Sequence, residues 1–571
     1  MANFFLDNKD LQLQLDHPLM ERIVALRERD FAEKGVYPEA PHSFDDAMES
    51  YRLVLELAGE VCGDTLAANA ESVDREGPHH ANGRVRYAAG TEANLAAFQA
   101  AGLNGMSLPR RYDGLNLPLP AFVMVNEMIA RADAGFQNVW GLQDCAETLN
   151  EFGSEEQKEC YLKMTSAGAT WSMALTEPDA GSDLGSAMLQ ASWSEERQSW
   201  LLNGVKRFIT NGDGDLSLVL ARTEAGTSDA RGLSMFVYDK RNGGVTVRRI
   251  EHKLGIKGSP TCELVYTDAP AELVGDRRMG LIKYVMSLMN AARLGITAQS
   301  VGACEAALRE AAKYAHERRQ FGRPIAEFKA VAEMLLRMQA KTQGARALLY
   351  ETAREVEIYK QLAAISKERS LESEERQEMK QRNRLADAFT PLAKLFASEF
   401  ANEVAFDAIQ VLGGSGYMKD YPCERIYRDV RIMNIYEGTS QMQVVAAING
   451  VTKGTYLEWI NRAAAEAYAE NLQTEKALLM TMREQVQQMI EKVEVTEKEC
   501  VGFKELHARR LVESVGYLVM GYLLLRQATE HPEEYLTSAQ VMCRMGAGKV
   551  AEAAAVVASS TAADVALYKL G

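Results

Sequence analysis

From about Asp45 to Lys163 the apolar residues recur mostly at three- and four-residue spacing, as in Tyr51, Val54, Leu55, Ala58 and Val61. That period predicts packed amphipathic helices, with Pro109 and the Asp113-Gly114 pair marking loops. Between about Trp171 and Asp276 the texture changes. Short apolar runs (Trp200-Leu201-Leu202, Leu216 to Ala221, Leu233 to Val237, Leu264-Val265-Tyr266) sit between Asn-Gly, Gly-Thr-Ser and Asn-Gly-Gly punctuation. Helices need longer uninterrupted periods, so a small β domain is expected, a barrel or a sandwich. From about Leu281 the helical period returns and holds through Gly450, with Ala- and Leu-rich stretches at Ala298 to Ala315 and Val331 to Leu349. Within it, Glu351 to Arg384 is crowded with Glu, Lys and Arg, which fits a long, solvated helical hairpin, a disordered charged loop being the alternative. Gly450 and Gly454 offer a break. Beyond them, about Tyr456 to Gly571 read as a further helical unit with a packing role, including Leu511 to Leu525 and Ala547 to Leu567. The expected fold class is α+β: a helical domain over 1–170, a β domain over 171–277, a helical bundle over 278–450 with the charged insert near 351–384, and an extra helical domain over 451–571.

Composition narrows the classes. A chain of 571 residues with 47% hydrophobic and 25% charged residues matches ordinary globular proteins of several domains. With 64 basic against 79 acidic residues the formal charge is −15, which offers no global attraction to nucleic acid or anionic lipid. The eight cysteines show neither C-x-x-C spacing nor a His/Cys framework, so free thiols in a reducing compartment are expected and no metal site is. Met1 to Leu15 lacks a basic start, an apolar core and a cleavage site, and nowhere do eighteen apolar residues run together. A cytoplasmic protein without a membrane span is the expectation.

Five segments carry candidate chemistry. Arg428 to Gln441 places one carboxylate, Glu437, between Tyr436 and Gly438. The glycine permits close backbone approach, and the apolar Ile435 and Tyr436 would raise the carboxyl pKa, tuning a base for a weakly acidic carbon-bound proton. The alternative is a solvated glutamate at a helix-to-loop junction. Met173 to Asp183 is a Pro/Gly-broken loop with small hydrogen-bonding side chains, able to hold a polar cofactor edge. Leu202 to Gly212 reads as a tight turn at Asn203-Gly204, a short strand and another turn, with Phe208 able to stack on a ring and Thr210 to bond to it; a core phenylalanine in an ordinary hairpin is the alternative. Tyr314 to Ile325 ends a helix in a Gly/Pro loop with paired guanidiniums, suited to a pyrophosphate or to complementing the helix C-terminus. Gln410 to Tyr417 is glycine-rich, but without the strand and spacing of a dinucleotide fingerprint, which disfavours a nicotinamide-binding Rossmann domain.

In this order and with these gaps, the segments together resemble the acyl-CoA dehydrogenase family over about Ser43 to Gly450. The resemblance implies a helical, β, helical architecture that binds FAD non-covalently and oxidises an acyl-CoA thioester to a trans-2-enoyl-CoA. Glu437 matches the base that removes the α-proton, the β-hydride passing to flavin N5. Its backbone N–H, with an FAD hydroxyl, would polarise the thioester oxygen. Thr176 and the Leu175 backbone match groups on the flavin ring, Ser182 one near flavin and pantetheine, and Phe208 with Thr210 the flavin wall. Arg318, Gln320 and Phe321 match contacts given to a neighbouring subunit's FAD, as do Gln410, Gly413 and Gly414, with Thr439 and Gln441 completing the site. Such sharing implies a homodimer whose FAD binding and assembly are linked. Asn290 and Arg293, with Tyr436 and Gly438, match acyl-CoA contacts, and an electron-transfer flavoprotein is the implied acceptor.

Two departures bear on this. Ala292 stands where some branches keep their base, which strengthens the assignment to Glu437. Asn290 replaces a frequent aspartate and Asp179 a glycine, which touches the CoA contacts. The insert and the tail beyond Gly450 are similar to an enlarged subgroup that includes 3-methylmercaptopropionyl-CoA dehydrogenases and bacterial fatty-acid enzymes, where the added domain implies dimers over tetramers. Competing readings are an acyl-CoA oxidase and a flavin-containing nucleic-acid-binding relative; the latter would carry a basic C-terminal surface, whereas Glu458, Glu466, Glu470, Glu475 and Glu484 intersperse this tail.

Overall fold

The computed structural model describes residues 2–568; Met1 and residues 569–571, the outer ends of the expected first and last domains, lie outside the described residues. The chain forms two compact units, Met1–Gly302 and Ala303–Gly571.

The first unit opens with helices α1 (Lys9–Leu15), α2 (Met20–Arg27), α3 (Phe44–Glu60) and α4 (Ala67–Glu76), then a small hairpin of β1 (His79–Ala81) and β2 (Arg84–Arg86). Helices α5 (Ala89–Ala100), α6 (Leu119–Ala132), α7 (Ala134–Trp140), α8 (Asp144–Phe152) and α9 (Glu155–Ser166) follow. Ser43 starts α3 by accepting from the Asp46 N–H, and Ser154 with Gln157 forms a capping box on α9. Helix α6 is buried almost throughout, and the Phe122 ring stacks on Trp140 of α7 at 5.3 Å.

The β region comprises β3 (Trp171–Ala174), β4 (Gln190–Ser194), β5 (Ser199–Thr210), β6 (Leu216–Arg222), β7 (Leu233–Asp239), β8 (Val245–Ile250) and β9 (Thr261–Val274). Pairings run β4–β5–β9–β7–β6 and return to β4 through the Gln190–Arg222 pair, closing a barrel-like ring with β3 beside β6 and β8 beside β9. Strands β6 and β7 are buried on both faces, which is why their apolar residues run continuously instead of alternating. One expectation fails here: Asn203-Gly204 is no turn but lies inside β5, where the register against β9 shifts. Gly204 adopts φ +141° against Leu189, and the Asn203 side chain bonds to Asp268, so the pair makes a bulge while the β4–β5 connection lies at 195–198.

Helix α10 (Met286–Glu317) carries the chain into the second unit. There β10 (Arg319–Gln320) and β11 (Arg323–Pro324) form a short hairpin before α11 (Lys329–Glu368) and α12 (Ser373–Leu412). Then come α13 (Cys423–Val430), α14 (Ser440–Thr452), α15 (Thr455–Ala464), α16 (Gln473–Glu499), α17 (Phe503–Glu530), α18 (Pro532–Ser559) and α19 (Ala562–Leu567). The stretch from Ala547 to Leu567, expected as one helix, is broken after Ser559.

The charged insert is the helical hairpin of α11 and α12; its α12 limb, 373–384, is exposed or half-exposed as expected, but its α11 limb is largely buried. Glu351, Arg354, Glu355, Glu357 and Gln361 are buried. Arg354 pairs with Glu351 at 3.2 Å, Arg382 with Glu355 at 2.7 Å, and Arg526 of α17 approaches Glu351 at 4.0 Å. Burial, reinforced by the Glu351 charge, pushes the Glu355 carboxyl up to about 7 against the pull of Arg382. Composition suggested a solvated face because partners from α17 are distant in sequence.

Candidate active site

In the first unit most of the expected site residues lie on two joined segments, with Asn290 and Arg293 apart on α10. The loop leaving β3 holds Thr176 half-buried and Ser182 exposed, while Leu175 is buried, so a ligand contact from Leu175 falls to its main chain. The Thr176 carbonyl accepts from the Arg207 N–H at 2.9 Å, joining loop to β5. Beneath the loop, Lys206 Nζ donates to the Leu175 carbonyl at 2.8 Å and to Glu177 Oε1 at 2.8 Å. The Glu177 carboxylate in turn accepts the N–H groups of Met188 at 2.7 Å and Leu189 at 2.9 Å. Burial pushes the Lys206 ammonium down to about 8, opposed by Glu177. Arg222, the β6 residue closing the barrel ring, donates to the carbonyls of Gly185 at 2.9 Å and Ala187 at 3.0 Å.

Phe208 is 53% exposed with φ +60°, in the bulge between Lys206 and Ile209, and Ile209 takes the core position instead. The core-phenylalanine alternative therefore falls. A bulky residue with positive φ costs about 1–3 kcal/mol and persists only where its surroundings enforce it. The Arg207 guanidinium lies 4.7 Å over the ring. Thr210, half-buried, pairs with Thr261 of β9. On α10, Arg293 is buried and its Nη1 donates to Asn290 Oδ1 at 3.0 Å, bringing those two residues together.

In the second unit the β10–β11 hairpin turns on Phe321 (φ +50°) and Gly322 (φ +86°), the backbone of a two-residue type I′ turn. Phe321 at its tip is 94% exposed. Arg318 and Gln320 are exposed beside it. The glycine-rich segment ends α12 and follows no strand, consistent with its rejection as a dinucleotide fingerprint. The Tyr314 and Ser415 hydroxyls, 3.2 Å apart, tie it to the end of α10 near Arg318. Gln410, Gly413 and Gly414 are exposed, and a Cβ at either glycine would meet nothing. Gly413 has φ +60°, but for Gly414 the chain's own packing gives no reason for glycine.

Glu437 sits in the turn before α14, half-buried, with φ +52° and Gly438 after it at φ +86°. Two buried side chains hold this pair. Lys394 of α12 donates from Nζ to the Gly438 carbonyl at 2.7 Å, and Gln443 of α14 donates from Nε2 to the carbonyls of Gly438 at 2.9 Å and Glu437 at 3.2 Å. Thr439 caps α14 by accepting from the Met442 N–H, its hydroxyl hydrogen remaining available to donate; Tyr436 is half-buried and Gln441 exposed. The backbone that carries this carboxylate is thus held at two successive carbonyls.

Sequence reasoning passed over Glu177, Lys206, Arg222, Lys394 and Gln443, none of which was given a role. Only Lys394 leaves a trace, as a charge inside the apolar run Leu392-Ala393-Lys394-Leu395-Phe396. Among the described residues no cluster of His, Cys, Asp and Glu is placed to hold a metal, and no helix is long and apolar enough to cross a membrane.

The first unit pairs helices with a β barrel and the second is helical, an α+β class. The acyl-CoA dehydrogenase N-terminal domain matches residues 48–169, the middle domain 172–269, the C-terminal domain 282–450 and the acyl-CoA dehydrogenase C terminal 452–565. The chain belongs to the acyl-CoA dehydrogenase family. It is 35% identical to the caffeyl-CoA reductase-Etf complex subunit CarC of Acetobacterium woodii over 60% of this chain and 85% of that protein. With the 3-methylmercaptopropionyl-CoA dehydrogenase of Ruegeria pomeroyi it shares 34% identity over 69% of each chain. An acyl-CoA dehydrogenase from Bacillus anthracis, solved with FAD, has the same fold at 24% identity, TM-score 0.73, over 91% of this chain and 90% of that one.

Proposed function

We propose that the protein catalyses FAD-dependent α,β-dehydrogenation of an acyl-CoA thioester to the trans-2-enoyl-CoA, with Glu437 as the base. The observation that carries this reading is the left-handed Glu437-Gly438 pair, strapped through its carbonyls by Lys394 and Gln443. An ordinary solvated glutamate needs no such support. Glu437 takes the α-proton, and its main-chain N–H is assigned to the thioester oxygen, where it stabilises developing negative charge. When bound, FAD supplies the acceptor for the β-hydride.

The residues fit that cofactor. Thr176, Thr210 and the Leu175 main chain are assigned to the flavin ring, with Ser182 near it, and the outward, strained Phe208 supplies an aromatic wall. Arg318, exposed and without an ion pair among the described residues, suits a diphosphate. Phe321, Gln320, Gln410, Gly413 and Gly414 are assigned to the FAD of a second copy of the chain, which makes a homodimer the working assembly; the bare faces of the hairpin tip and of Gly414 support this. Thr439 and Gln441 complete the cofactor contacts, and Asn290, Arg293, Tyr436 and Gly438 hold the acyl-CoA. Electrons leave to an electron-transfer flavoprotein, a reading supported by the similarity to an Etf-complex subunit.

That similarity to a reductase favours a second reading, in which the same base and flavin run the reverse reaction on an enoyl-CoA. Anaerobic mixing decides both points. Acyl-CoA should bleach the wild-type flavin, and Glu437→Gln should keep FAD but lose the bleaching. Near wild-type reduction by Glu437→Gln sinks the assignment. Reoxidation of pre-reduced enzyme by enoyl-CoA, without bleaching by acyl-CoA, selects the reductive direction.

A further inference from the structure

Helix α17 lies in the stretch beyond Gly450, for which the sequence offered only a packing role. It bears on α12, one of the two helices that hold the Glu437 turn. At Gly516 of α17 a Cβ would overlap the Phe396 ring of α12, and the Tyr517 ring packs edge-on to Phe396 at 5.3 Å. Phe396 is two residues from Lys394 and three from Glu399.

A polar chain runs alongside this contact. Arg509 of α17 pairs with Glu399 of α12 at 3.4 Å and is itself oriented by Glu513 at 2.7 Å. The same Glu399 oxygen accepts the hydroxyl of Ser440, the first residue of α14. The Ser440 N–H donates to the Asn434 carbonyl at 3.1 Å, while Arg431 donates to the Asn434 side chain at 2.6 Å. Residues 434–440 thus form a loop pinned at its foot, with Glu437 at its crest.

We propose that α17 is a positioning element for the Glu437 loop, acting through Arg509, Glu399 and Ser440. This rests on the reading of Glu437 as the base. None of the three residues is assigned to substrate or cofactor. Arg509 orients Glu399 as an acceptor, Glu399 fixes Ser440, and Ser440 fixes the end of the loop at which α14 begins. A half-exposed ion pair contributes little to stability. Proton abstraction, by contrast, depends steeply on the placement of the base, so the chain should register in rate.

The test is anaerobic single-turnover flavin reduction by FAD-loaded full-length protein, using whichever of butyryl-CoA or octanoyl-CoA bleaches the wild type faster. Ser440→Ala should lower the limiting rate about ten-fold and Arg509→Met by a smaller factor, with half-saturation held within about two-fold. The double variant should fall no further than Ser440→Ala alone, and Arg509→Lys should recover most of the rate. If Arg509→Met does not fold, Glu399→Gln, which keeps an acceptor for Ser440 but removes the charge, makes the same comparison. Wild-type limiting rates in Ser440→Ala and Arg509→Met, or multiplicative losses in the double variant, overturn the proposal. Glu437→Gln is run beside them. If it is inert while the others are normal, only the positioning role fails; if it bleaches normally, the base assignment itself fails.

Discussion

The loop that follows β3 and the turn that carries Glu437 solve one problem in different ways. Each exposes residues assigned to the reaction, and each is held by a fully buried lysine donating to a main-chain carbonyl: Lys206 to Leu175, Lys394 to Gly438. In the first, a carboxylate shares the lysine, and Glu177 gathers two N–H groups besides. In the second, Gln443 joins the lysine on the same carbonyl oxygen and the backbone itself is left-handed. The first arrangement is an ion pair that fixes a long loop; the second restrains two residues in an unfavourable conformation. Losing the first lysine should therefore cost stability, and losing the second should cost rate.

The largest expected effect is Lys206→Met. It strands Glu177 beneath the loop and should lower unfolding free energy by about 3–5 kcal/mol, read by denaturant unfolding of the full chain. A loss below about 1 kcal/mol would mean that the carboxylate is solvated once freed. Lys394→Met should cost about 1–3 kcal/mol for the carbonyl contact. Its signature is kinetic, a limiting rate of flavin reduction lowered about ten- to a hundred-fold while FAD remains bound. An unchanged limiting rate would erase the contrast between the loops. Arg222→Met should loosen the Ser182 loop without stranding a carboxylate, giving about 1–2 kcal/mol and faster proteolytic nicking between 181 and 187.

A separate effect, read through pH instead of structure loss, concerns Glu355, a buried carboxyl in neither loop. Its folded pKa is raised to about 7 from the ordinary 4.5, so the native state binds the extra proton between those values. Stability from this group is present below about pH 4.5 and declines as pH rises through 7. Glu355→Gln should flatten that decline in unfolding curves taken at pH 5 and 7.5; an identical slope in both proteins would refute it.

How far the sequence could be read follows from the same contrast. The α+β class was legible because runs such as Leu216 to Ala221 and periods such as Ala298 to Ala315 are local signals. Phe208, Phe321 and Glu437 were singled out from motif context, and all three carry positive φ, a property no periodicity encodes. The buried lysines stayed hidden because their partners are carbonyl oxygens, which every residue possesses and no side chain announces. Asn203-Gly204 misled because the dipeptide suits a bulge as well as a turn. Glu351 to Glu357 misled because the surfaces that bury them belong to helices far along the chain.

The ring of strands is sealed by a single residue pair, Gln190 with Arg222, and the same arginine clasps the carbonyls of Gly185 and Ala187. A seam one pair wide is where transient breathing should begin, so amide hydrogen exchange should be fastest there among the barrel strands. Each such opening would also unclasp the segment bearing Ser182, making the rhythm of one the rhythm of the other.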